Sequence, residues 1–265
     1  MLFNIGDLVT RKSHNNDVIF EILKIEDRIA YLKGKDIRLY ADSYIDDLVV
    51  TVYDELDKDE DSLSRMKEKI SLDRSEYFYL PGKILHIDGD DEYLDRCMKF
   101  YKELKIMAHG IKIKEHDMAY EVVQCLNKYK PNILVITGHD AMYNRNNKTA
   151  YKNSDNFIKT IEEARKYEEN QERLIIIAGA CQSNYEELIK SGANFASSPK
   201  RVNIHALDPA IIASSIALAD RGCPIDLIDI IERTKYKEEG VGGIITNGTM
   251  YKGYPRWIYK KLGII

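Results

Sequence analysis

From residue 79 onward, short apolar runs alternate with segments of helical periodicity, and this alternation limits the fold more than any other feature. Apolar, largely β-branched runs predict strands at 83–88, 106–113, 132–137, 174–179 and 194–198. Helical spacing of apolar residues predicts helices near 93–104, 116–129, 154–169, 184–191, 207–219 and 225–235. Strands that alternate with helices favour the α/β class, with a doubly wound, mainly parallel sheet covered by helices on both faces.

The first 52 residues have a different pattern, in which short strands follow one another without helices. Strands are predicted at 8–11, 18–25, 29–32, 37–41 and 48–52, with polar turns between them. Closely spaced strands of this kind suggest a small β-barrel, and the opening IGDLV is similar to SH3-like barrels. We therefore expect two domains, at 1–52 and 78–265.

Residues 53–77 lie between these domains and contain neither glycine nor proline. The segment is strongly charged and offers little that could form a core, so it is predicted to be a charged linker or a solvated helix. Its basic residues are exposed candidate cleavage sites for a protease, namely Arg65, Lys67, Lys69 and Arg74.

Composition and charge exclude several classes of function. The net charge of -4 gives no electrostatic case for binding nucleic acid. No apolar stretch approaches the roughly 18–20 residues that cross a bilayer, and the opening MLFNIGDLVTRKS lacks the regions of a signal peptide. Four scattered cysteines do not form a disulfide framework. We expect a cytoplasmic protein that is neither secreted by a signal peptide nor inserted into a membrane.

Two of the predicted strands end in the same way. The runs at 132–137 and 174–179 each reach a glycine and then present one reactive side chain, His139 or Cys181. Ligands bind at the carboxyl ends of strands in an open parallel sheet. If the two strands are neighbours, these side chains lie about 5 Å apart, or a little more. The spacing predicts a cysteine nucleophile with a histidine as general acid and base.

The segment around Cys181 favours a reactive thiol. SNYE at 183–186 reads as a capping box, so the thiol is predicted to lie just ahead of a helix N-terminus that stabilises the thiolate. The small residues Gly179 and Ala180 leave room for a substrate. By contrast, Cys97 and Cys125 fall on apolar helical faces and are predicted to pack in the core.

A carboxylate is the side chain that matches the guanidinium fork of an arginine. Asp88 and Asp90 follow the first strand of the α/β region, at the same sheet edge as His139 and Cys181. Asp88 is the preferred candidate for binding a basic substrate side chain, because it lies nearest the end of the strand. Asp90 or Asp91 is equally well explained as a cap of the helix that follows. His205 is left open, either as a helix-entry residue or as part of the site.

Histidine after one apolar strand and Ala-Cys after the next is the arrangement of the caspase-like cysteine peptidases. The chain also resembles, over nearly its whole length, the YabG family of sporulation-specific proteases from spore-forming bacteria. The stretches that carry this resemblance are PGKILHIDGDDEYL, PNILVITGHDA, IIIAGACQS and GANFASSPKRVNIHALDP, together with FNIGDLVTRKS and DIRLYADSYIDDLV near the N-terminus. The resemblance implies a protease that trims spore-coat and related spore proteins, is active toward basic residues and works in the mother cell.

One departure concerns the oxyanion-binding groups. Caspase-like enzymes usually carry His-Gly, whereas the order here is Gly138-His139-Asp140. The Cys181 N–H remains a sensible donor, and the second donor is left open.

Two hypotheses follow from the resemblance and the linker. An enzyme that prefers basic residues should cut its own linker, because a tether is presented at high effective concentration. The barrel would then serve to deliver the enzyme to the assembling coat.

A different class of function is a receiver-like signalling module with an acidic Mg²⁺ and phosphoacceptor site. Acids follow the first strand, Asp140 follows the third, and Lys200 follows a later one. This alternative leaves Cys181 without a role. No metal is expected, since no cysteine–histidine cluster has the spacing of a zinc site. No nucleotide cofactor is expected either, because the glycine-rich segment Gly240–Gly243 follows a predicted helix rather than joining a strand to a helix. We expect that segment to be a flexible loop near the site.

Overall fold

The computed structural model describes residues 3–52, 56–69, 72, 76–145 and 148–263. Its first unit is a five-stranded antiparallel sheet, called here the N-terminal sheet. Its strands lie in the order β4-β3-β2-β1-β5. Their bounds are β1 Leu8–Arg11, β2 Phe20–Glu26, β3 Ile29–Gly34, β4 Tyr40–Tyr44 and β5 Leu48–Val50.

The connection between β3 and β4 differs from the prediction. A strand was expected at 37–41, but β4 begins only at Tyr40. Residues 35–39, called here the crossing segment, leave the sheet and contact the second unit. Ile37 forms an antiparallel bridge with His205, and the Ala206 N–H donates to the Asp36 carbonyl over 2.8 Å. Both ends of the segment keep a backbone hydrogen bond to the N-terminal unit, from the Lys35 N–H to the Ile19 carbonyl over 3.0 Å and from the Gly34 N–H to the Leu39 carbonyl over 2.8 Å, while its middle pairs with a distant loop.

The segment after the N-terminal sheet is helical where it is described. Helix α1 spans Leu56–Lys69. Met66 is only 2% exposed and packs in the core of the second unit, and Asp59 forms an ion pair with Arg96 at 2.8 Å. Helix α1 is therefore docked rather than solvated on all sides, because Met66 and the partly buried Leu63 pack against the second unit. The candidate cleavage site Arg74 lies outside the described residues.

The second unit contains a six-stranded sheet in the order β14-β13-β12-β9-β7-β8. Only β14 is antiparallel to its neighbour. The remaining elements in chain order are β6 Phe78–Leu80, β7 Ile84–Asp88, α2 Asp91–Glu103, β8 Ala108–Lys112, α3 Met118–Tyr129, β9 Ile133–Thr137, β10 Met142–Arg145, β11 Lys148–Tyr151, α4 Ser154–Tyr167, β12 Ile175–Ala178, α5 Tyr185–Lys190, β13 Phe195–Ser197, α6 Asp208–Ala217, α7 Leu227–Glu232, α8 Lys237–Gly240, β14 Val241–Gly243, β15 Tyr251–Gly253 and α9 Arg256–Lys261.

Helices cover both faces of this sheet, as the alternation predicts. Successive residues of each strand point to opposite faces. Ile133 and Val135 of β9 pack with α2 and α6, whereas Leu134 and Ile136 pack with α3 and α4. Because both faces are covered, the strands read as continuous apolar runs rather than alternating ones. The α/β prediction with a mainly parallel sheet is confirmed.

Some elements escaped the sequence analysis. The hairpin of β10 and β11 follows His139, and β6 pairs with β15. Gly240–Gly243, expected to be a flexible loop, instead ends α8 and forms the edge strand β14 beside β13. Within the described ranges, no helix combines the length and apolar character that a membrane crossing requires.

Candidate active site

The register of the central sheet places His139 and Cys181 at the same edge. Strands β9 and β12 are parallel neighbours in which Ile136 pairs with Ala178. His139 and Cys181 each lie three residues beyond this last pair. The predicted adjacency of the two strands is therefore confirmed, and both loops leave the carboxyl ends of their strands together.

The Cys181 thiol is fully buried in this conformation. It belongs to an apolar cluster formed with residues of the N-terminal sheet and with Ile204. The Ile204 N–H donates to the sulfur over 3.3 Å. Burial raises the pKa of the thiol to about 12, although the N–H groups of Ile204 and Arg38 and the Arg38 charge favour the thiolate. Cys181 is therefore protonated near neutral pH while the N-terminal sheet covers it.

The expected capping box after Cys181 is absent. Helix α5 begins at Tyr185, and its N-cap residue Asn184 makes no side-chain cap bond. Ser183 instead accepts from the Ala180 N–H over 2.9 Å and donates to Asp140. Its hydroxyl stabilises the loop that carries Cys181 rather than the helix end. The prediction of a thiolate stabilised by this helix is thus wrong for the described conformation.

His139 lies between a carboxylate and two aromatic rings. Its Nε2 is 3.1 Å from an Asp90 oxygen, and its ring centroid is 4.0 Å from that of Tyr40 and 5.5 Å from that of Tyr93. Its Nδ1 is buried and has no hydrogen-bond partner among the described residues. No hydrogen bond joins His139 to Cys181 within the part of the chain that the structure describes.

Asp140 connects the loops that carry the two candidate catalytic residues. It is only 2% exposed and accepts from the Ala141 and Asn153 N–H groups over 2.9 and 2.7 Å. Its other oxygen accepts from the hydroxyls of Ser154 and Ser183. The carboxylate therefore holds the loop after β9, the start of α4 and the loop after β12 in one arrangement.

Arg38 of the crossing segment fills a buried pocket beside Cys181. Its guanidinium is fully buried and forms an ion pair with Asp88, which is equally buried. It also donates to the Ala206 carbonyl over 3.1 Å, and its Nη2 lies 3.5 Å from the Cys97 sulfur. The Tyr93 ring lies beneath it, 5.0 Å from the guanidinium carbon. The pocket thus surrounds one cation with a carboxylate, a carbonyl and a ring face.

The ionisation of Asp88 depends on Arg38, and the ionisation of Asp90 depends on Lys33 and His139. Burial opposes the ionisation of Asp88, but the Arg38 charge outweighs it and holds the pKa of Asp88 well below its usual range. Burial likewise opposes the ionisation of Asp90, while His139 and Lys33 lower the pKa of Asp90. Both carboxylates are therefore ionised at neutral pH.

Comparison with known proteins gives the family. A family model described as YabG peptidase U57 matches residues 4–255. The chain belongs to the YabG peptidase family. It is similar to the sporulation-specific protease YabG of Bacillus subtilis (strain 168), with 41% identity over 286 residues, covering 96% of this chain and 99% of that protein. No solved structure matches the chain.

Membership of the YabG family makes the chain a sporulation peptidase and gives a frame for the other predicted residues. The Asp90 carboxylate accepts from two N–H groups at the start of α2, so it caps the helix while also binding His139. His205 is buried, and burial together with the Arg96 charge lowers the pKa of its imidazole to about 4. Its backbone bridges Ile37, so His205 lines the groove that holds the crossing segment.

The small residues of the site are required by backbone conformation and close packing rather than by the entry of a substrate. Gly179 has a φ of +111°, and a Cβ there would lie 3.0 Å from Leu188 and 3.1 Å from Ser197. Ala180 is buried in the cluster under α4 and α5 and so does not widen the approach to the sulfur. At Gly138, a Cβ would lie 2.6 Å from the Glu115 carboxylate. That carboxylate also accepts the His139 N–H over 2.9 Å, which makes this group unavailable as an oxyanion donor here.

Three residues of this YabG site were missed because they belong to the N-terminal sheet and its crossing segment. Lys33, Arg38 and Tyr40 contact Asp90, Asp88 and His139 respectively. Arg38 stands between two aliphatic residues in a predicted strand, a pattern that also describes an ordinary exposed strand position. The described residues contain no cluster of metal-ligating side chains.

Proposed function

We propose that the chain is a cysteine endopeptidase of sporulation in which Cys181 is the nucleophile and His139 the general acid and base. The observation that carries this proposal is the register of β9 and β12, which brings both residues to the same sheet edge at equal distances beyond a paired position. Family membership supplies the peptidase activity, and these two side chains supply chemistry suited to it.

The reaction needs no group beyond these residues and water. His139 takes the proton of the Cys181 thiol, the resulting thiolate attacks the substrate carbonyl carbon, and the amine of the cleaved bond leaves with that proton from His139. His139 then takes a proton from water, which hydrolyses the thioester and frees the sulfur. The Cys181 N–H is a suitable donor to the developing oxyanion.

This mechanism requires a conformation in which the thiol is uncovered. With Cys181 buried and its pKa at about 12, little thiolate forms near neutral pH. The unpartnered Nδ1 of His139 leaves the imidazole able to bind a new partner once the apolar cover moves. The described arrangement is therefore assigned to an inactive state of the enzyme.

The proposed substrate bonds follow arginine or lysine. Asp88 is the specificity carboxylate in this proposal, since a carboxylate matches the guanidinium fork. Support comes from Arg38, whose guanidinium pairs with Asp88 in a pocket that also offers the Ala206 carbonyl. Spore-coat and related spore proteins are the proposed substrates, met in the mother cell at the forming coat, where the N-terminal sheet would deliver the enzyme.

Self-cleavage in residues 53–77 remains part of the proposal, with its candidate sites reduced. Arg65, Lys67 and Lys69 lie in α1, and a docked helix resists entry into a cleft that needs an extended strand. Arg74 is the remaining candidate. The receiver-like alternative is not retained, because Asp88 and Asp90 are paired with Arg38 and Lys33 and the family is one of peptidases.

The test compares the wild type with Cys181→Ala and His139→Ala on a denatured protein rich in arginine and lysine, with mass spectrometry of the new termini. Both variants should lose cleavage while circular dichroism stays unchanged, and wild-type termini should follow arginine or lysine. Cys125→Ala is the matched control, since this half-buried thiol on α3 should be dispensable. Cleavage by Cys181→Ala at the wild-type rate would show that the assigned mechanism is wrong.

A further inference from the structure

The crossing segment lies in the candidate site in the manner of a bound peptide. Its backbone pairs antiparallel with the chain at His205, and the Ala206 N–H donates to the Asp36 carbonyl over 2.8 Å. Addition of an extended segment to a free backbone edge is a common way of binding peptides. The edge at residues 204–206 therefore accepts a strand, and here the strand comes from the chain itself.

Arg38 follows Ile37 in the crossing segment. The guanidinium of Arg38 forms an ion pair with Asp88 and is fully buried. Its backbone N–H faces the Cys181 sulfur, and Ile37 and Leu39 belong to the apolar cluster that covers the thiol. An arginine next to the nucleophile, with its side chain on the specificity carboxylate, matches a substrate residue whose carbonyl precedes the cleaved bond.

Tyr40, two residues after Arg38, contacts His139. The Tyr40 ring lies against His139, with centroids 4.0 Å apart, and its hydroxyl is 3.4 Å from Asp90. Lys33, from the end of β3, pairs with the same Asp90 at 2.8 Å. The N-terminal sheet and the crossing segment thus contact all four residues of the proposed site, which are Cys181, His139, Asp88 and Asp90.

The segment differs from a productive substrate in two respects. The Arg38 N–H, rather than the Arg38 carbonyl carbon, faces the Cys181 sulfur. The Leu39 N–H, which would belong to the leaving amine, donates to the Ile37 carbonyl over 2.7 Å. This tight turn bends the chain at Arg38, whereas proteolysis needs an extended peptide across the nucleophile. The N-terminal sheet holds both ends of the turn, through β3 and β4.

We infer that Asp36–Arg38 is an internal mimic of an arginyl substrate, which closes the cleft to external proteins until the N-terminal sheet moves away. The inference rests on the proposed function for the roles of Cys181, His139 and Asp88. It also identifies residues 204–206 as the edge to which substrates pair and the Asp88 pocket as the subsite for their arginine.

The test uses the full-length chain with Arg38→Ala and measures the alkylation of Cys181 by iodoacetamide, followed by peptide mass spectrometry. Cys223 is exposed and serves as an internal reference in the same sample. Alkylation of Cys181 should be slow in the wild type and faster in Arg38→Ala by on the order of tenfold, because the open state becomes more populated. Arg28→Ala is the matched control, since Arg28 lies in the turn between β2 and β3 and forms an ion pair with the exposed Asp46 at the surface.

A second variant covers the case in which Arg38→Ala does not fold. Arg38→Lys keeps a cation beside Asp88 but loses the two-pronged guanidinium, so its alkylation rate should fall between those of the wild type and Arg38→Ala. Agmatine, which carries a free guanidinium, should raise the Tm of the Arg38 variants and slow their alkylation, with no effect on the wild type. A folded Arg38 variant in which Cys181 reacts no faster than in the wild type overturns the inference.

Cleavage of a short fluorogenic peptide ending in arginine separates this inference from the proposed function. Faster cleavage by the Arg38 variants supports both. Faster alkylation without cleavage supports the closed cleft and counts against the protease mechanism. A wild-type chain found cut between Arg38 and Leu39 would overturn the mimic, because the segment would then be a substrate.

Discussion

At the scale of single residues, the candidate site depends on three buried carboxylates with different partners. Asp88 is paired with one arginine, Asp90 with lysine, histidine and a helix start, and Asp140 with four neutral donors. A buried carboxylate is stable only when such partners are present. Because the partners come from different loops, each carboxylate also sets the positions of those loops.

Asp140→Asn tests this positioning role. The amide cannot accept four hydrogen bonds, so we expect the free energy of unfolding to fall by about 2–3 kcal/mol. Since the loops of His139 and Cys181 both depend on Asp140, kcat should fall by more than KM rises. Urea unfolding and peptide kinetics measure the two effects. The control is Asp155→Asn, at an exposed position in the first turn of α4. A change in KM alone would assign Asp140 to substrate binding.

At the scale of elements, the loops after parallel strands carry the site and the helices hold the sheet. Helix α1 is the element whose role the sequence concealed. Its sequence is mostly charged, yet Met66 reaches the core, where Ser215 and Arg233 contact its sulfur at 3.8 and 3.6 Å. Met66, with the partly buried Leu63 beside it, docks this helix on the second unit.

Met66→Ala tests the docking of α1. Removal of a buried methionine leaves a cavity, and the free energy of unfolding should fall by about 2–5 kcal/mol. Ser64→Ala, on the exposed face of the same helix, should change it by less than about 0.5 kcal/mol. Urea unfolding gives both values. Equal effects at the two positions would mean that α1 is not docked in solution.

At the scale of the whole molecule, a fully buried ion pair links the N-terminal sheet to the second unit. Arg38 and Asp88 are both fully buried, and the pair links the crossing segment to the end of β7. Removing one partner of such a pair is far more destabilising than replacing both. The contact between the two units therefore depends on the ionisation of Asp88.

This ionisation makes stability depend on pH. The folded pKa of Asp88 lies below its unfolded value of about 3.9, so the stabilisation is complete above the unfolded value and is lost progressively as the pH falls from there through the folded pKa. Within that pH range, the free energy of unfolding should fall by up to about 1.4 kcal/mol per pH unit. The double variant Arg38→Met, Asp88→Asn should lose less stability between about pH 5 and 3 than the wild type.

The control for this comparison is an exposed pair on the N-terminal sheet. Arg28→Met with Asp46→Asn removes the pair at the surface and should leave the wild-type dependence on pH unchanged. Urea unfolding at a series of pH values gives the slopes. If the Arg38 and Asp88 double variant has the wild-type slope, Asp88 does not contribute the acid dependence.

The sequence by itself determined the α/β class, the parallel strands and the position of His139 and Cys181 at one edge. These properties follow from local periodicity, since a strand buried on both faces must be apolar along its whole length. The polar residues that follow such strands then lie at the carboxyl edge of the sheet. Family membership agrees with the activity that this edge suggested.

Only the tertiary structure decided what covers Cys181. Arg38 is 50 residues from Asp88 in the chain, and the two meet because the crossing segment pairs with a loop near His205. Docking of α1 through Met66 and the burial of Cys181 likewise depend on surfaces formed by distant segments. Periodicity reports which face of an element is apolar, but the surface that meets this face is set by the packing of the whole chain.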